Sequence, residues 1–141
     1  MGKTLVVGVD GSEHAKKAAR YAAELAVKLD ASLLLVHAVP SLAMPAGAIG
    51  FGEELLQANR VRGEAILDLL VNELEKPTLK VQKRLIDDGS PPEVLANVAK
   101  EVGAEMVVVG STGANAVSRM FLGSVANRLG HVSPVPVLIV R

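Results

Sequence analysis

Short apolar runs alternate with segments of helical period along most of this chain, and that alternation leaves few folds open. Residues 5–9, 32–39, 106–109 and 135–140 are runs of strand length built mainly from Val, Leu, Ile and Ala. A strand with one wet face alternates apolar and polar residues; a continuous run belongs to a strand covered on both faces. Between the runs lie amphipathic segments. Ala15, Ala18, Ala19, Ala22, Leu25, Ala26 and Leu29 share one helical face behind Ser12 as N-cap, and the small alanines predict a helix lying close on a sheet. Residues 53–75 predict a long second helix ended by Pro77, and residues 79–86 alternate only in part, as a strand near the sheet edge would. Ser90-Pro91-Pro92-Glu93 predicts a helix start, with Ser90 as cap and Glu93 closing a capping box, and Gly103 stops that helix. Gly123 or Ser124 opens a last helix running to about Gly130. The predicted class is α/β: a doubly wound, five-stranded parallel sheet in the order 3-2-1-4-5, with helices on both faces, forming one domain over residues 1–141.

Composition narrows the functions such a domain can serve. Half of the 141 residues are hydrophobic, but aromatics number only two Phe and one Tyr, so the core is aliphatic and platforms for stacking bases are missing. Fifteen acidic and fifteen basic residues balance, which implies no basic face for nucleic acid. The absence of cysteine excludes disulfides, thiolate catalysis and Cys-held metals. The start of the chain enters a strand pattern without a signal-peptide layout, and no apolar run reaches spanning length, so a cytoplasmic protein without membrane contact is expected.

In doubly wound sheets ligands lie beyond the carboxyl ends of the strands where the order reverses, here between strands one and four. Strand one runs into Asp10-Gly11-Ser12. Strand four runs into Gly110-Ser111-Thr112-Gly113, followed nine residues later by Gly123-Ser124-Val125-Ala126. Gly110 and Gly113 permit tight turns and close approach to a ligand. Gly123, Ser124 and Val125 offer N–H groups at a helix start, and Ser111, Thr112 and Ser124 add hydroxyls. Together these form a phosphate cradle in two pieces. Asp10 suits a ribose hydroxyl, an amino group or a divalent cation rather than phosphate itself. The backbone around Ala38 and Val39 is available to a base edge. Each element has a structural rival: the glycines as plain turns, Gly123-Ser124 as a plain helix cap, Asp10 as a cap or Asx-turn, Arg119 as a solvated cation. The three histidines do not form a catalytic set: His37 reads as a satisfied residue in an apolar strand, His14 as exposed, and His131 as a cation at a helix end.

The spacing Gly110-x2-Gly113-x9-Gly123-Ser124 resembles the signature of the universal stress protein family in its ATP-binding branch. The neighbouring segments agree over the whole chain: Val6-Val7-Gly8-Val9-Asp10-Gly11-Ser12, Val36-His37-Ala38-Val39, and Pro134-Val135-Pro136-Val137-Leu138-Ile139-Val140. The resemblance implies a five-stranded, usually dimeric domain that binds ATP, with Mg²⁺ or Mn²⁺ at the phosphates and Asp10 beside it. Asp10 and the backbone near Val9 and Ala38 would meet adenine and ribose; Gly110, Gly113, Gly123, Ser124 and Val125 would hold ribose and phosphates. The dimer would pair the C-terminal strand, Val137 to Val140, with its copy, which also removes an apolar sheet edge.

Three functions compete. The first is a nucleotide-dependent regulatory module of the stress response that binds ATP and at most hydrolyses it slowly; no Walker lysine, general base or arginine finger accompanies the glycines. The second is a true ATPase or nucleotide-dependent transferase, with Asp10 orienting metal or water. The third is a dimeric interaction module with structural glycines. A dehydrogenase is excluded at the first strand, which no GxGxxG follows.

Overall fold

The computed structural model describes residues 2–40, 51–87, 89–112 and 122–141. Strands and helices alternate as the apolar pattern requires: β1 (Lys3–Gly8), α1 (Glu13–Leu29), β2 (Ala31–Ala38), α2 (Phe51–Leu74), β3 (Val81–Ile86), α3 (Pro91–Val102), β4 (Met106–Gly110), α4 (Ser124–Val132) and β5 (Val137–Val140). All neighbouring strands pair in parallel, in the order β3-β2-β1-β4-β5.

Side chains of period two divide the sheet's apolar residues between two cores. Leu5 and Val7, Leu33 and Leu35, and Val108 face α1 and α2. Val6, Leu34 and Val36, and Val107 and Val109 face α3 and α4. Leu5, Leu33, Leu35, Leu67, Leu79 and Leu129 are fully buried, each a burial of roughly 1.5–3 kcal/mol. The edge strand β3 keeps Gln82 and Lys83 in solvent, which explains its partial alternation.

The alanine stripe of α1 is buried as expected, at Ala15, Ala18, Ala19, Ala22, Ala23 and Ala26. Ser12 Oγ accepts from the Ala15 N–H at 3.2 Å, so the predicted N-cap is made. The helix ends on Asp30 in the left-handed conformation (φ 53°), a position usually given to glycine. Gly103 ends α3 in the same way, at φ 63°.

Several expectations are corrected. The Ser90 side chain makes no cap bond; its hydroxyl donates to the Glu93 carboxylate instead of accepting from the backbone. The α2 helix has begun by Phe51, two residues before the expected start at residue 53; residues 41–50 lie outside the described residues. Leu79 forms an isolated bridge with Lys76 rather than opening β3. β5 starts at Val137 instead of residue 135, and α4 runs two residues past Gly130.

One glycine in α2 has a packing reason. Gly63 stands mid-helix, where glycine costs about 1 kcal/mol relative to alanine. A Cβ there would lie 2.5 Å from His37 Cδ2 and 2.8 Å from Leu85 Cδ1. The helix therefore reaches β2 only because that side chain is missing.

Candidate functional site

A crevice of about 680 Å³, including its open mouth, lies over the carboxyl ends of β1, β2 and β4, where strand order reverses. Its walls bring together Val9, Asp10, Ala38, Gly110, Ser111, Thr112, Gly123, Ser124 and Val125. Gly113 and Arg119 lie outside the described residues. The remaining lining is apolar, including Ala15, Val36, Val109 and two residues that sequence reasoning missed, Pro91 and Leu95 of α3. Contacts made by the first turn of a helix that follows the far edge strand leave no mark in local sequence.

The two glycine segments are joined by one bond. The Gly123 N–H donates to the Ser111 carbonyl at 2.7 Å, and the Ser111 N–H donates to the Val140 carbonyl at 2.9 Å. The backbone of Ser111 thus ties the end of β4 both to β5 and to the start of α4. This corrects the expectation that the Gly123 amide serves a ligand: it is already engaged. The amides of Ser124 and Val125 are in the first turn of α4, where no intrahelical acceptor exists. Gly123 has no side chain with which to cap them, and no acidic residue stands in that turn. The positive end of α4 accordingly faces the crevice with no acidic residue in its own first turn.

Thr112 adds the second donor. It is only 8 % exposed, and its Oγ1 is the buried side-chain polar atom without a hydrogen-bond partner among the described residues. Leaving a buried hydroxyl unpaired costs about 1–3 kcal/mol. A polar ligand in the crevice would satisfy it.

Gly110 also has a role different from the one expected. A Cβ on it would stand 2.9 Å from the backbone C and O of His14, so its missing side chain makes room for α1 rather than for a ligand. His14, expected in solvent, is half-buried. Gly11 adopts φ 86°, a conformation that favours glycine, in the turn between β1 and α1.

Asp10 is exposed at the crevice rim. Its Oδ1 accepts the Ser12 N–H at 2.9 Å, so the Asx-turn is formed, and the second carboxylate oxygen retains its acceptor capacity. The backbone of Val9 is less open than expected. Its N–H donates to Val36 O at 2.9 Å, and its carbonyl lies 2.8 Å from His37 Nδ1. His37, buried and hydrogen-bonded, is the satisfied core residue its apolar setting predicted.

Arg128 of α4 pairs with Glu93 in the first turn of α3 at 3.0 Å and links the two helices at the surface. The Ser90 hydroxyl first, and Arg128 with it, hold the Glu93 carboxyl below the usual carboxylate range.

The family model for the universal stress protein family matches residues 1–141. The chain belongs to the universal stress protein family. It is 36 % identical over 149 residues to universal stress protein YxiE of Bacillus subtilis (strain 168), covering 100 % of both proteins. It is 35 % identical over 145 residues to a universal stress protein of Thermus aquaticus, again covering 100 % of both. Among solved structures, the fold matches that of the hypothetical protein MJ0577 with a TM-score of 0.85 at 24 % identity, over 99 % of this chain and 96 % of that one. A universal stress protein from Archaeoglobus fulgidus, solved in complex with dAMP, matches with a TM-score of 0.71 at 25 % identity, over 99 % and 98 % of the two proteins. A universal stress protein solved in complex with cAMP matches with a TM-score of 0.67 at 26 % identity, over 99 % and 97 %. Within the universal stress protein fold, the α/β architecture and the strand order expected from sequence are those observed. No described helix is long and apolar enough to cross a membrane.

Proposed function

We propose that this protein binds ATP in the crevice between the ends of β1 and β4, and that occupancy, rather than fast turnover, is its working signal in the stress response. The observation that carries the reading is a pair of donor sets with no acceptor among the described residues: the Ser124 and Val125 amides with the Ser124 hydroxyl, and the buried Thr112 hydroxyl. Both suit the oxygens of a polyphosphate. The adenine nucleotides held by the dAMP- and cAMP-bound relatives support the ligand class.

The rest of the nucleotide finds chemistry of the right kind. Ala38 offers backbone groups to a base edge, and Val36, Leu95 and Val109 supply apolar surface. The second Asp10 oxygen suits a ribose hydroxyl. A Mg²⁺ or Mn²⁺ ion would be held through the phosphates, with Asp10 as its one protein carboxylate; among the described residues no cluster of three His, Asp or Glu residues could hold an ion unaided. Slow hydrolysis is the most that this donor set suggests, because its groups bind and orient phosphate without supplying a base.

The protein is also proposed to dimerise through Val137–Val140. β5 is the end of the sheet order, and on its outer side it pairs with no described strand. Pairing with a second copy would cover the half-buried Val137, Leu138 and Ile139.

Native mass spectrometry of the purified protein, followed by calorimetric titration with Mg·ATP, tests the reading. One adenine nucleotide bound per protomer is expected. A protein that carries no nucleotide and gives no heat with Mg·ATP contradicts it.

A further inference from the structure

The last rung of the β1–β2 ladder is missing, and an imidazole stands in its place. Parallel pairing of these strands ends at Gly8↔Val36, and the Val9 N–H still donates to Val36 O at 2.9 Å. In register, the next bond would run from the Ala38 N–H to the Val9 carbonyl. That carbonyl is taken by His37 Nδ1 at 2.8 Å. A carbonyl only accepts, so Nδ1 carries the proton. Meanwhile β2–β3 pairing continues to Ala38↔Ile86, and the Val39 N–H donates to Ile86 O at 2.8 Å. Residues 37 and 39 thus direct their backbone groups toward β3, and Ala38 directs both its N–H and its carbonyl toward the β1 side, where Ala38 lines the crevice.

From this arrangement we propose that His37 is a positioning residue for base selection: by occupying the Val9 carbonyl it stops the ladder and keeps the Ala38 N–H and carbonyl open as an adenine-reading edge. The inference rests on the nucleotide-binding reading above and goes beyond it. The ring is held from behind. It is 6 % exposed, and α2 carries Gly63 where any Cβ would meet the ring, 2.5 Å from Cδ2 and 3.0 Å from Nε2. Two elements, α2 and β1, therefore fix one ring whose only described hydrogen bond is to the end of β1.

The selectivity follows from the base edges. Adenine presents an N6 amino donor beside the N1 acceptor, which match a backbone carbonyl and N–H. Hypoxanthine reverses the pair, with an O6 acceptor beside an N1–H donor, and sets acceptor against acceptor and donor against donor. If the Val9 carbonyl lost its imidazole donor, the Ala38 N–H would be the next donor in register. The ladder would lengthen by one rung and the edge would close.

Calorimetry with ATP, inosine triphosphate and tripolyphosphate on wild type, His37→Leu, His37→Asn and His37→Gln tests the proposal. Asparagine places an amide donor close to the position of ring Nδ1; glutamine carries it one methylene further. The expected result is that His37→Leu lowers the ATP-over-inosine-triphosphate preference by at least about tenfold. Tripolyphosphate affinity should stay within twofold, and His37→Asn should restore the preference. A merely structural histidine would lower the melting temperature and leave the preference unchanged, and that result overturns the proposal. Should His37→Leu fail to fold, Asn keeping the preference while Gln loses it supports the proposal, and equal preferences in both overturn it. Wild-type protein that binds both nucleotides alike overturns this inference alone; wild-type protein that binds neither overturns the nucleotide reading with it.

Discussion

The α1 and α4 helices both begin beside the crevice, and their first turns are built in opposite ways. At α1 the cap is a side chain of the protein itself: Asp10 accepts from the Ser12 N–H, the Ser12 hydroxyl oxygen accepts from the Ala15 N–H, and Glu13 adds negative charge. At α4 the cap is a glycine, the first turn has no acid, and the Ser124 and Val125 amides have no acceptor in their own helix. A self-capped helix start stabilises the fold; an uncapped one beside a buried orphan hydroxyl keeps its donors for an anion. The difference lies in which residue stands at the cap, not in backbone geometry, since Ser12 (φ −74°, ψ 159°) and Gly123 (φ −62°, ψ 159°) are alike.

The sharpest way to break this contrast is proline at the first position of each helix. Proline removes the amide there and is otherwise well tolerated after an extended residue. Ser124→Pro should weaken ATP binding about 30-fold, roughly 2 kcal/mol for a charge-assisted donor and a hydroxyl, with little change in melting temperature. Glu13→Pro should leave the affinity unchanged. Equal losses in the two variants, read by calorimetry, would erase the distinction.

Thr112→Val comes next. Valine keeps the shape and removes the hydroxyl, so ATP affinity should fall roughly five- to tenfold while stability holds or rises by up to about 1 kcal/mol. A clear loss of stability in denaturant titration would mean that the hydroxyl serves the fold. Ser12→Ala should act the other way round, costing about 1 kcal/mol of stability and leaving affinity within twofold.

The smallest effect concerns an ion pair remote from both helix starts. The hydrogen bond from Arg20 holds the Glu73 carboxyl below its usual value of 4.5. The sign follows from linkage: the pair's contribution is complete above that value and is lost as pH falls through the lowered one. Both side chains are about half exposed, so solvent screening leaves little of the pair's attraction at stake. Arg20→Ala should therefore flatten the acid limb of a stability–pH curve only slightly, and equally with and without ATP.

Much of this was legible in the sequence because burial on both faces writes itself into continuous apolar runs, and the alanine stripe of α1 announces a close helix. The convergence of Asp10 with Gly110 and Gly123 followed from topology alone. What stayed hidden are bonds between residues far apart in the sequence. The Gly123 amide looked free because its acceptor, the Ser111 carbonyl, is placed by the path of the backbone. The Val9 backbone looked open because nothing local reveals that a ring 28 residues later takes its carbonyl. Gly63 had no reason in its own helix; the reason sits on β2. The false capping box at Ser90 shows that the right residues at the right spacing can bond each other, side chain to side chain, instead of capping the backbone.

The most direct measurement is an ATP titration followed residue by residue through backbone amide resonances. The account predicts that Ser124, Val125 and Thr112 move most and saturate at one nucleotide per protomer, while Glu13 and His14 at the start of α1 stay nearly still. Saturable binding that leaves Ser124 and Val125 unmoved would contradict it.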